Sequence, residues 1–285
     1  MSDTVPVFKI RNQIEGSELI LNIAGDFHYG VNGVSKDYLE TELNTIATQH
    51  NGNIFRIFTG DLIENQLKTS VGHNYDAELA DPSVQKTHMI DVLTNTNKTL
   101  YGESKLNNLK TINKKKDNIY NNVLSVSVDG NHEYRTRKVA AQWLTKEMCE
   151  QSKTLYLGIQ AIVDLTIYNK RLDMERTFKI YVAHRPSKTD AGSPEAILRA
   201  FRKKQSSFPG VDIFIFGHFH KMFLHANGYF DIKSRKFKKV LYAINPSPVC
   251  ESEYAEEAGY VPIKSATYQN LFLPLNPNLE IYGII

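Results

Sequence analysis

Two cysteines in 285 residues, Cys149 and Cys250, are too few for a disulfide framework, and neither falls in a polar cluster of the chain. Both read as free thiols, which excludes a disulfide-stapled fold and a thiolate metal site. No stretch is long or apolar enough to span a membrane, so no membrane partner is expected. The N-terminus Met1-Ser2-Asp3-Thr4-Val5-Pro6 lacks a charged segment followed by an apolar one, and a cytoplasmic protein is expected. Net charge is only +3 at pH 7, without internal repeat or low-complexity linker, so the charge balance alone selects no partner. The chain is 41% hydrophobic, enough to bury a large core as one α/β domain over residues 1–285.

Short polar clusters stand where apolar runs end. Ile20-Leu21-Asn22-Ile23-Ala24 leads into Gly25-Asp26-Phe27-His28, and Ile54-Phe55-Arg56-Ile57-Phe58 into Gly60-Asp61. Val123 to Val128 leads into Gly130-Asn131-His132-Glu133, Lys179 to Val182 into His184, and Val211 to Phe216 into Gly217-His218-Phe219-His220. If each run is a buried strand, the loops leaving the carboxyl ends converge on one rim, although the chain spreads them from Asp26 to His220.

Each cluster alone has a plain reading. Gly-Asp after a strand is a common turn. His184 alone is a packed or surface histidine, and Gly-Asn-His-Glu is a helix start with Asn131 as N-cap and Glu133 in the first turn. Gly-His-Phe-His is harder to dismiss, because alternation in an extended segment points both imidazoles to one face. Together the clusters supply two aspartates, an asparagine amide and several imidazoles. That set suits a pair of borderline divalent ions, manganese first, with nickel, iron, zinc or cobalt as alternatives. Two such ions about 3.5–4 Å apart need an anionic bridge, and water between them loses a proton near neutral pH and attacks a phosphate ester.

Asp-x-His, Gly-Asp, Gly-Asn-His-Glu, a later His and Gly-His-x-His, in that order, resemble the calcineurin-like metallophosphoesterase superfamily over Asp26 to His220. The resemblance implies a two-sheet α/β sandwich flanked by helices, with a dinuclear site at the carboxyl ends of the strands. It implies that Asp26, His28, Asp61 and His220 bind one metal and that Asp61, Asn131, His184 and His218 bind the other, Asp61 bridging. His132 is implied as the group that stabilises the transition state or protonates the leaving oxygen, with Glu133 as its orienting partner. Two departures matter. The Ser/Thr protein phosphatases carry arginines where this chain has Asp129 and Asn65, which moves the reading toward phosphodiesterases and nucleases. Ala183 replaces the usual Gly before the histidine, a change small enough for the ligand to survive. The Gly60 to Asn65 stretch followed by Ser70-Val71-Gly72 also looks like metallophosphoesterases of phages and bacteria, and a phage origin would imply the host cytoplasm.

Elsewhere, strands are expected at Val7 to Ile10 and up to Ala24, a Ser35-capped helix through Leu39, Leu43 and Ile46, and a hairpin from Ile162 to Val182. A helical insertion is expected over about 66–122, with one helix through Val84, His88, Val92 and Leu93, and a second helix or lobe from Lys105 to Asp117. Val139 to Leu144 reads as a helix packed on the sheet, and about 246–285 as a C-terminal strand or cap in which Tyr254 to Tyr260 caps the site or joins subunits. Lysine runs are ordinarily solvated, but Arg135, Arg137 and Lys138 directly follow the Gly-Asn-His-Glu cluster and would feel a polyanion. Arg135, Arg137 and Asn65 are therefore candidate substrate contacts. The expected function is a dimetal phosphodiesterase or nuclease acting on nucleic acid or nucleotides. The alternatives are a small-molecule phosphoesterase, a Ser/Thr protein phosphatase and a non-catalytic scaffold.

Overall fold

The computed structural model describes residues 4–31, 33–49, 53–66, 81–108, 119–186, 193–231, 235–249 and 266–284. Two sheets are stacked. The first has the order β13 (Tyr282–Ile284), β12 (Tyr268–Pro274), β2 (Glu18–Ala24), β3 (Ile54–Phe58), β5 (Ser125–Ser127), β6 (Leu155–Tyr156). The second has the order β10 (Phe223–Asp231), β11 (Lys236–Ile244), β9 (Ile213–Phe216), β8 (Met174–Ala183), β7 (Gln160–Asn169), β1 (Val7–Gln13), β4 (Ile119–Asn121).

The strand sequences dictate this stacking. Every residue of β3 is buried, as a strand covered on both faces requires, whereas β7 alternates buried and half-buried positions. Leu21, Ile23, Phe55, Ile57 and Val126 of the first sheet share one core cluster with Ile10, Val163, Leu165, Ile180, Ile213 and Leu241 of the second. On the outer face of the first sheet, Ala24 and Phe58 pack with α1 (Lys36–Gln49), α2 (Pro82–Tyr101) and α5 (Leu144–Ser152) through Leu39, Leu43, Met89, Val92, Leu93 and Met148. On the outer face of the second, Tyr181, Phe214, Phe216 and Tyr242 pack against Ile197 and Phe201 of α6 (Pro194–Ser207).

β2, β3, β5 and β6 are mutually parallel, as are β8 and β9, so helices form the crossovers and the carboxyl ends of five strands face one rim. Several expectations hold. The Ser35 hydroxyl accepts the Tyr38 N–H at 3.2 Å, α2 covers Val84 to Leu93, and β7 and β8 form the hairpin. The region 66–122 carries α2, the short α3 (Glu103–Asn108) and also strand β4, which joins β1. Most of Lys105 to Asp117, together with Ser70-Val71-Gly72 and Tyr254 to Tyr260, lies outside the described residues.

The single helix expected over Val139 to Leu144 is interrupted: Val139 and Ala140 end α4 (Asn131–Ala140), residues 141–143 separate the two helices, and Leu144 begins α5. Ala141 is left-handed at φ 54° and caps α4 by donating its N–H to the Arg137 carbonyl, and Val139 is 76% exposed.

Candidate metal centre

The loops after β2, β3, β5, β8 and β9 meet at the rim. Asp26, His28, Asp61, His218 and His220 all have φ between 47° and 74°, a region that costs a non-glycine residue roughly 1–3 kcal/mol. Backbone hydrogen bonds help to fix these turns, Asp26 N–H donating to the Gly60 carbonyl at 2.9 Å and His28 N–H to the Asp61 carbonyl at 3.0 Å, and the turns aim the side chains at one another. This overturns the alternation argument for Gly-His-Phe-His: the segment is not extended, and its imidazoles enter different groups. Three groups have one ligand atom per residue within 4.8 Å of one another: Asp26, His28 and His220; Asp61, His184 and His218; and His28, Glu64 and His132, which shares His28 with the first.

Asp61 stands between the groups. Its Oδ2 lies 3.1 Å from His184 Nε2 and 3.9 Å from His28 Nε2, while Oδ1 accepts the His132 backbone N–H at 2.8 Å. Asn131 Oδ1 lies 2.9 Å from His184 Nε2. Loop contact is close enough that a Cβ on Gly130 would meet the Asp61 backbone and carboxylate. On the other side, Asp26 accepts the His218 N–H at 2.8 Å and the Asn245 amide at 2.9 Å, and the Ser247 hydroxyl donates to the Asp26 carbonyl at 2.6 Å. His220 keeps 39% of its side chain exposed, which marks the solvent side of the cluster.

His132 is held at both ends: its backbone by Asp61, and its Nδ1 by the Glu64 carbonyl oxygen at 2.6 Å. Two roles expected from the sequence are corrected here. Glu133 does not orient the His132 ring; its buried carboxylate accepts the N–H groups of Asp61, Leu62 and Ile63 at 3.1, 2.6 and 3.1 Å and so shapes the Asp61 loop. Asn65 is fully buried, with Nδ2 donating to the His132 carbonyl at 2.6 Å and to Thr136 at 2.8 Å, so its amide is spent on pinning α4. Asn131 is the first residue of α4 and Gly130 is the N-cap, because the Asn131 side chain turns to His184 instead of capping. Arg135 lies over His132, with terminal nitrogens 3.4 Å from Nδ1 and 3.2 Å from Nε2. Arg137 is engaged by Asp129 at 3.5 Å and by the Trp143 ring at 3.4 Å.

The electrostatics follow from crowding. Burial opposes charge on His28, yet the Glu64 hydrogen bond and the charges of Glu64, Asp61 and Asp26 hold its pKa up at about 9. His184 is likewise raised to about 9, burial being outweighed by Asp61 and Asp26. Burial, with the Asp61 charge adding, holds Asp26 up at about 6 despite His184. Asp61 is held well below its ordinary value: burial opposes, but the charges of His184, His132 and His28 prevail.

These residues fit two cations. His184 Nδ1 contacts the Thr59 carbonyl at 2.9 Å, and His28 Nδ1 contacts the Glu64 carboxylate at 2.7 Å, so each ring spends its N–H outward. The remaining lone pairs then face further lone pairs: His184 Nε2 against Asp61 and Asn131 oxygens, and His28 Nε2 against His220 Nε2 at 3.0 Å. Asp61 Oδ2 is buried without a hydrogen-bond donor among the described residues. Only protons or metal ions reconcile such an arrangement.

Sequence reading overlooked Glu64, Asn245, Ser247 and Arg185, whose Nε donates to Asn131 Oδ1 at 3.1 Å. A signal existed for one of them. Asn245 follows the apolar run Val240 to Ile244, the same placement that marked the other clusters.

No protein-family model matches the chain, and no curated protein matches it. Matching solved structures include a conserved uncharacterized protein from Streptococcus pneumoniae, a predicted phosphoesterase. It has 10% identity and a TM-score of 0.36 over 94% of this chain and 99% of that one. Another is wild-type Vps29 complexed with Zn2+ from Entamoeba histolytica, at 14% identity and a TM-score of 0.37 over 93% of this chain and 98% of that one. At such values neither likeness bears on what this chain does; the cluster must speak for itself.

Proposed function

We propose that the protein is a two-metal phosphoester hydrolase whose substrates are phosphodiesters of nucleic acid or nucleotides. The observation that carries this reading is the Asp61 carboxylate, with Oδ2 buried, undonated and placed between the His28 and His184 groups. In this reading Asp26, His28, Asp61 and His220 hold one ion, and Asp61, Asn131, His184 and His218 hold the other. The mixed imidazole and carboxylate set suits manganese, iron, zinc, cobalt or nickel. When bound, such a pair supplies charge to the phosphoryl oxygens and an acidified water.

The chain's own residues do the rest. Glu133 and Asn245 fix the two aspartates, and Thr59 and Glu64 fix the imidazole tautomers, so the site is organised before substrate arrives. His132, anchored at Nδ1, presents Nε2 3.8 Å from Asp61 Oδ2 and is placed to give a proton to the departing oxygen. A non-catalytic scaffold has no need of seven donors held this way. The test is a hydrolysis panel of bis-p-nitrophenyl phosphate, p-nitrophenyl phosphate, cyclic nucleotides and labelled DNA, each with Mn, Ni, Mg, Zn or EDTA. Metal-dependent cleavage of a diester supports the reading; no cleavage of any phosphoester by protein carrying two metals overturns it.

A further inference from the structure

The first turn of α4 carries Asn131 and His132, which the hydrolase reading makes a metal ligand and the acid, and its later turns lead away from the cluster. Along that course α4 lacks the apolar spacing that would bury a helix face: Glu133 is its only buried residue, and rings alternate with cations instead. Tyr134 and Lys138 follow Asn131 at three and seven positions and so share its face. The Lys138 ammonium lies 4.9 Å from the centre of the Tyr134 ring, and the Arg137 guanidinium 5.3 Å from it. The same guanidinium lies 3.4 Å from the centre of the Trp143 ring, in the break before α5, and the Tyr156 ring meets Trp143 at 85° with centroids 6.4 Å apart. Asp129 ties this group to the site. Its Oδ2 accepts from the Tyr156 hydroxyl at 2.6 Å and lies 3.5 Å from Arg137, and the residue stands two positions before Asn131.

The result is a row of aromatic rings with cations between and beside them, beginning one helical turn from a metal ligand. These rings are not spent on a core: Trp143 keeps 40% of its surface exposed, Tyr134 is half-buried, and Lys138 and Val139 are exposed. Rings interleaved with cations suit single-stranded nucleic acid, whose bases stack on the rings while its phosphates meet the charge. A duplex keeps its base faces stacked inside and offers no such contact. We infer that Trp143 and Tyr134, supported by Arg137 and Lys138, form a base-stacking platform that holds nucleotides next to the scissile phosphate, so that the substrate is single-stranded nucleic acid. This rests on the hydrolase reading and narrows it. Arg137 serves the platform by packing on the indole, its charge being shared with Asp129, and exposed Lys138 supplies charge to the backbone of the strand.

Trp143 is the only tryptophan of the chain, so intrinsic indole fluorescence reports on the platform alone. The test titrates the protein in EDTA, where nothing is cleaved, with oligothymidylate, with an abasic oligomer of the same length and phosphate number, and with duplex DNA. Oligothymidylate should quench the indole saturably, and the abasic oligomer and the duplex should not. Anisotropy of labelled oligothymidylate then gives Kd for wild type, Trp143→Ala, Tyr134→Ala and Trp143→Phe, with melting temperature checked for each. Either alanine variant should weaken binding by roughly 5- to 150-fold, the range for one lost base stack, and Trp143→Phe should keep most of the affinity. If an alanine variant fails to fold, the wild-type quenching and the phenylalanine variant still decide. No quenching, equal quenching by the abasic oligomer, or folded alanine variants that bind as wild type does overturn the platform, and hydrolysis of bis-p-nitrophenyl phosphate in the same preparation then spares the hydrolase reading. Base-dependent quenching in a protein that carries two metals and cleaves no phosphoester overturns the hydrolase reading and leaves the platform standing as a binding site.

Discussion

Glu64 Oε2 lies 2.7 Å from His28 Nδ1, and the same oxygen is 3.4 Å from His132 Nδ1. One carboxylate thus orients a predicted metal ligand and the predicted acid, and both imidazoles hold it well below its ordinary pKa although burial alone would raise it. Glu64→Gln keeps the shape but removes the charge. Loss of such an outer partner typically costs 10–100-fold in metal affinity or activity. Metal titration and steady-state kinetics should both show it; a variant with wild-type metal affinity and kcat would remove Glu64 from this role.

His132→Ala should retain both metals, since Asn131 and not His132 is placed with His184 Nε2. The expected loss in kcat is roughly 10²–10⁴-fold, as for a positioned acid, and should grow with the leaving-group pKa across aryl and alkyl diesters. An equal defect across the series would assign His132 to charge stabilisation instead.

The metal-free protein should lose stability as pH rises. Asp26, His28 and His184 all hold their protons more tightly when folded. The stability each contributes is complete below its unfolded value, 3.8 for Asp26 and 6.5 for the imidazoles, and is lost as pH rises through about 6 and about 9. Asp61 runs the other way: its contribution is present above 3.8 and is lost on acidification. Thermal melts in EDTA should therefore decline between pH 6.5 and 9, and added metal should abolish the decline by replacing the protons. A flat or rising melting temperature over that window in EDTA contradicts the assigned shifts.

Gly130→Ala should destabilise the protein and disturb the site together, because the added methyl meets the Asp61 backbone N and its carboxylate along with Glu133. Overpacking of this kind costs about 1–3 kcal/mol. Chemical denaturation would measure it, and an unchanged midpoint would mean that the loops have room to part.

The strand-end clusters were legible because parallel strands write two signals side by side: an apolar run buried on both faces and a polar loop at its carboxyl end. Asp26, Asp61, Asn131, His184 and His218 all obey it. What the sequence hid depends on backbone turns it does not announce. Left-handed His218 and His220 replace the expected alternation, and left-handed Ala141 breaks what hydrophobic spacing joined. Glu64 was hidden for the same reason: left-handed Asp61 and Asn65 bracket it and fold its carboxylate back onto His28 and His132. Glu133 was assigned to its neighbour His132 by adjacency, whereas a first-turn side chain reaches the facing loop.

The most direct measurement is metal stoichiometry in the wild type and in Asp61→Asn by elemental analysis under equilibrium dialysis against manganese or zinc. Asp61 Oδ2 lies 3.1 Å from His184 Nε2 and 3.9 Å from His28 Nε2, and the proposed bridging role requires wild type to bind two ions per chain and the variant to bind fewer, with circular dichroism preserved and phosphodiester hydrolysis abolished. Two ions bound by a folded Asp61→Asn variant that still turns over would contradict the bridging carboxylate on which the account stands.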